Sequence, residues 1–75
     1  MKRARQPMPD FVCEALEEAG LRAQYDGRPP YQRNDYLGWI NRAKKMETKL
    51  RRLEQMLDEL RAGDRYMKMQ WGGPR

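Results

Sequence analysis

Histidine is absent from this sequence and cysteine occurs once, at Cys13. The first absence removes the commonest metal ligand and the usual general base, and the second rules out an internal disulfide. With no base to activate it, Cys13 reads as a small helix residue and not as a nucleophile. Strand formers are nearly as scarce: valine, isoleucine and threonine appear once each, as Val12, Ile40 and Thr48, so a sheet has little to be made of. No run approaches the length and apolarity of a signal peptide or a membrane span, and a reducing bacterial cytoplasm is the expected location. Gly-rich phosphate loops, nucleophile elbows and metal-ligand spacings do not occur. The carboxylate pairs Glu17-Glu18 and Asp58-Glu59 are adjacent, so on a helix they point to different sides and do not form an acid and base couple. A protein without a catalytic centre and without a cofactor is expected.

What remains is helical in character. The 75 residues, 36% of them charged, suffice for one domain with a shallow core. Residues 1–8 open with Lys2, Arg3 and Arg5 and read as a disordered basic tail. Pro9 and Asp10 suit a first helical turn, and Val12, Ala15, Leu16 and Ala19 share one face, which predicts a helix over 9–19. Gly20 ends it in the left-handed conformation, with Leu21 folding back as the accompanying apolar contact. One further helical turn reaches Tyr25 before Asp26-Gly27 interrupts it, and Arg28-Pro29-Pro30 is extended.

A second main helix is predicted over 31–43, with Tyr36, Trp39, Ile40 and Ala43 on one face and Leu37 at its edge. A third, over 46–62, carries Met46, Leu50, Leu53, Leu57 and Leu60 at alternating steps of four and three. The two stripes are out of step. A single straight helix through residues 31–62 would extend the face of Tyr36 and Ile40 through Glu47, Glu54 and Asp58, so a turn near Lys44 to Met46 is expected. The predicted fold is all-α: a small three-helix bundle, residues 9–63, with a short extra helical turn, around Leu16, Tyr36, Trp39, Ile40, Leu50, Leu53 and Leu57. Residues 64–75 hold Tyr66, Met67, Met69 and Trp71 and form a flexible or docking tail.

The net charge of +5 is unevenly spread. Arg42, Lys44, Lys45, Lys49, Arg51 and Arg52 against Glu47 place +5 within residues 42–52, whereas residues 10–26 carry five acids against Arg22. The junction cluster, with Met67, Met69 and Trp71 of the tail, is the candidate contact surface for a protein partner. Among the other methionines, Met56 reads as a further contact and Met46 as part of the seam. A nucleic-acid partner is the rival reading, with Arg42, Lys44, Lys45, Lys49 and Arg52 on phosphates, although only Thr48 and Gln55 are suited to reading base edges. The apolar seam from Met46 to Leu60 can also pair with its own copy, giving a homo-oligomer.

From Arg28 to Trp71 the chain runs through Tyr36-Leu37-x-Trp39-Ile40, then Ala43-Lys44, then Glu47-Thr48-Lys49 and Arg52. In that spaced pattern it resembles the YdeI/OmpD-associated family, a bacterial group also labelled bacteriocin-protection proteins. Where the family commonly has proline before Glu-Thr, this chain has Met46. The resemblance implies a role in envelope stress tolerance and association with an outer-membrane porin, and it brings no catalytic residues to transfer. It also implies a helical module that forms the C-terminal part of longer relatives.

Overall fold

The computed structural model describes residues 7–70. Their order is α1 (Asp10–Ala19), α2 (Arg22–Asp26), α3 (Pro30–Arg42), α4 (Met46–Ala62), β1 (Arg65–Tyr66) and β2 (Met69–Gln70). The expected basic tail lies mostly outside the described residues, but its end is held: the Pro7 carbonyl accepts a hydrogen bond from Asn41 Nδ2 at 3.1 Å, and Met8 packs on the core.

Helix α1 ends as its sequence dictates. Gly20 adopts φ 69°, the Leu21 N–H donates to the Leu16 carbonyl at 2.9 Å, and the Gly20 N–H donates to Glu17. This is the double closure of a Schellman motif, and Leu16 and Leu21 are both buried beside it. Pro30 occupies the first turn of α3, where its missing N–H would have had no helical partner. Between α3 and α4 the chain leaves helical geometry over Ala43 to Lys45, both residues at the ends of that stretch having extended ψ. The expected break is therefore present although no glycine or proline makes it.

Helix α4 is the element on which α1, α2, α3 and β1 all pack. Val12 and Leu16 of α1, Leu21, Tyr25 of α2, Tyr36, Leu37 and Ile40 of α3, and Leu53, Met56, Leu57 and Leu60 of α4 form the core. Three expectations need correction. Leu50 is 45% exposed and Met46 56% exposed, while Met56 is fully buried. The cause is length: at about 1.5 Å per residue the 17-residue α4 is longer than the 10-residue α1 it crosses. Across the groove from Leu50, α1 presents only the small side chains of Ala15 and Ala19 beside Glu18. Trp39 is partly buried, with its indole under Arg52.

The all-α expectation holds for most of the described chain and fails at its end. Among the described residues there are four helices, the five-residue α2 standing where one extra helical turn was expected, followed by a two-stranded antiparallel hairpin with Tyr66 opposite Met69. Its two-residue loop places Met67 at φ 51° and Lys68 at φ 66°, the positive values that a type I′ turn requires at both central positions. Neither residue is glycine, asparagine or aspartate, so the turn carries no residue signal for a hairpin. Lys68→Gly is expected to raise stability by about 1 kcal/mol, since left-handed geometry costs a side-chain-bearing residue about 1–2 kcal/mol. Urea unfolding of the two proteins measures the difference.

Candidate functional site

Two polar constructions stand out against the core, one buried and one at the surface. The buried one centres on Glu59, 5% exposed, on the same helix as Met56 and Leu60. One carboxylate oxygen, Oε1, accepts from the Tyr36 hydroxyl and from the Met67 N–H, the latter at 2.9 Å. The other, Oε2, accepts from the Lys68 N–H at 2.7 Å and from Gln55 Nε2 at 3.2 Å. The same residue's carbonyl accepts from Arg28 Nη2 at 2.9 Å and from the Gly63 N–H. Arg28 Nη1 donates in turn to Gln32 Oε1, and Gln32 Nε2 donates to the Tyr31 hydroxyl.

Every buried side-chain nitrogen and oxygen of the described residues has a partner. With its buried polar atoms paired, the cluster acts as a structural clasp. It holds the hairpin against α3 and α4, helped by Tyr66, whose ring packs edge-on against Tyr31 and Tyr36 and whose hydroxyl donates to Asp35 Oδ2 at 2.6 Å.

The surface construction is the basic elbow between α3 and α4, and its cations divide into two sets. Lys49 Nζ donates to the Asn41 carbonyl at 3.1 Å, and Arg52 Nη1 donates to the Trp39 carbonyl at 2.6 Å. Both serve orphan carbonyls at the C-terminal end of α3, where the helix dipole favours positive charge. Arg52 also lies 5.3 Å from the centre of the Trp39 ring. Arg42, Lys44, Lys45 and Arg51 are exposed, next in sequence to the exposed Met46 and Leu50.

The remaining candidate residues are scattered. Met67 is partly buried against the core, Met69 is 59% exposed on the hairpin, and Trp71 lies outside the described residues. Of the Tyr-Leu-x-Trp-Ile pattern and its continuation, Tyr36, Leu37, Ile40 and Ala43 are core, Trp39 and Thr48 are half-buried, and Lys44 and Glu47 are exposed. Arg28, Gln32 and Glu59 were not legible as buried groups. The one available signal was the position of Glu59 beside Leu60 and three residues after Met56, on the apolar side of α4.

An apolar groove adjoins the elbow. Ala15 and Ala19 of α1 and Leu50, Leu53 and Leu57 of α4 line it, Glu18 and Glu54 stand at its rim, and its volume is about 430 Å³. No helix of the described residues is long and apolar enough to cross a membrane.

The family model described as "Bacteriocin-protection, YdeI or OmpD-Associated" matches residues 7–63. The match begins before α1 and stops at the glycine that caps α4, so it takes in all four helices and leaves out the hairpin. No curated protein and no solved structure matches the chain.

Two outcomes follow from the clasp. Glu59→Gln would turn an amide NH₂ toward one of the N–H donors it now accepts from; the expected loss is about 2–3 kcal/mol in urea unfolding. Hydrogen exchange should show the Met67 and Lys68 amides losing protection before the helices do. The Tyr36 hydroxyl is held protonated above the ordinary value of 10.0, first by burial, then by its hydrogen bond to Glu59 and the negative charge there. Tyr25 is raised too, chiefly by burial. Near pH 10 the unfolded chain releases phenol protons that the folded one keeps, so stability is full below that pH and falls as pH rises beyond it. Denaturation midpoints from about pH 8 to about pH 11 should show that decline, with a shallower slope in Tyr36→Phe.

Proposed function

The chain belongs to the bacteriocin-protection, YdeI or OmpD-associated family, and from that premise we propose a non-catalytic helical interaction module. It serves bacterial envelope stress tolerance from the cytoplasm and engages a protein partner through the elbow of Arg42, Lys44 and Lys45 with Met46 beside them. The division of the elbow's charge carries this reading. Two of its cations are spent on the end of α3, which fixes the shape of the turn, while the others stand in solvent next to an exposed methionine.

A rigid turn that presents both charge and apolar area has what a protein contact needs. Phosphate contact is favoured less, because Lys49 and Arg52 already have carbonyl partners and Thr48 is half-buried. The hairpin contributes Met69, and the backbone of Met67 is occupied by Glu59.

A photo-crosslinking amino acid placed at Lys45 should capture a protein in bacterial extract, whereas the same probe at the exposed Gln24 of α2 should not. Adding Lys44→Glu and Arg42→Glu to the Lys45 probe should abolish the capture. A crosslink to nucleic acid that weakens steeply with salt would overturn the reading in favour of phosphate binding.

A further inference from the structure

The elbow and the groove are complementary to each other in chemistry. The elbow is cationic and carries Met46, 56% exposed, as an apolar knob. The groove is apolar, its lining includes Glu18 and Glu54 and no cation, and Leu50 stands 45% exposed at its mouth. Helix α1, one of its walls, also exposes Glu14 and Glu17. A groove of this kind calls for a basic occupant with a flexible apolar side chain, and the chain itself bears one on the same helix.

We propose that a second copy of this chain is the occupant: two α4 helices pair antiparallel, so that the Met46 knob of each enters the α1–α4 groove of the other. With the two-fold axis between Leu50 and Leu53, Leu50 of one copy lies opposite Leu53 of its partner, and Met46 opposite Leu57. Lys45 then stands opposite Asp58 of the other copy, about one helical turn from its Glu54, so that the elbow meets the acidic side of the groove. A two-fold arrangement makes the contact twice, since a surface holding both halves of a complementary pair is self-complementary under that symmetry. Antiparallel α4 axes also set opposed helix dipoles side by side. The contact covers Met46 and Leu50 together, which the described chain leaves 56% and 45% exposed. Because it assigns the elbow a partner, the inference rests on the elbow being a contact surface.

Charge exchange tests it. One variant carries Lys44→Glu and Lys45→Glu, the other Glu18→Lys and Glu54→Lys; all four positions are exposed, so folding should survive, which circular dichroism checks. Sedimentation equilibrium of the native chain should show mass rising with concentration toward twice the 9.0 kDa monomer. Each variant alone should dimerise at least about tenfold more weakly, since like charges now face each other. An equimolar mixture should recover the native affinity, because the acidic elbow of one variant meets the basic groove of the other and the reverse. A native chain that stays monomeric to millimolar concentration overturns the proposal, and so do variants that dimerise as the native chain does or a mixture that fails to recover. If the native chain is monomeric while the Lys45 probe still captures another protein, the dimer is excluded and the elbow remains a contact surface.

Discussion

A carboxylate inside a shallow core dictates much of the rest of this structure. Removing Glu59 from water without partners would cost several kcal/mol, a large share of the stability available to so short a chain. Four donors converge on it instead, from α3, from α4 itself and from two consecutive peptide N–H groups of the hairpin loop. Those two amides can face one carboxylate because Met67 and Lys68 both take positive φ. The left-handed backbone and the buried charge each carry a cost when alone, and each offsets the other when combined. The hairpin is thus fixed less by its own two-residue strands than by the anion beneath its turn.

The helices were legible in the sequence because local chemistry and apolar spacing agreed there. Gly20 and Gly63 end α1 and α4 with φ of 69° and 84°, and both were recognisable as stops. The break at Ala43 to Lys45 carried no punctuation, yet the phase shift between the Tyr36 and Leu53 stripes required it. What could not be read was the hairpin. Its loop lacks the residues that ordinarily mark such a turn, and its stabilising partner is a side chain eight or nine residues earlier. Glu59 was not recognisable as buried for a related reason: a carboxylate on an apolar face reads as an obstacle until the donors that satisfy it are known, and they come from three separate segments.

The candidate surface was half legible. Charge counting found the cluster at residues 42–52 but could not divide it, since whether a lysine or arginine faces solvent depends on which helix end lies within reach. Lys49 and Arg52 turn toward α3 because they stand three residues apart on one side of α4, and both reach carbonyls in the last turn of α3. Arg42, Lys44 and Lys45 lie at or before the turn and stand in solvent. The groove was invisible in the sequence, because the heptad-like seam gave Met46 and Leu50 the same standing as Leu53 and Leu57. Burial along a seam is decided by what lies opposite, and α1 presents alanines there.

That mismatch of lengths has a consequence for specificity. Had α1 carried large side chains at positions 15 and 19, they would have met Leu50 and closed the groove, and the elbow would have been charged surface with one stray methionine. Alanine at both places leaves apolar area open beside Glu18 of α1 and Glu54 of α4. Apolar area of that kind sets how tightly a partner binds, whereas the flanking charges set which partner binds and in which orientation. A chain with net charge +5 would repel its own copies in most orientations. The arrangements that escape this repulsion are those that oppose Lys44 and Lys45 to Glu18 and Glu54, so the uneven distribution of charge, more than its total, determines how the molecule can be met.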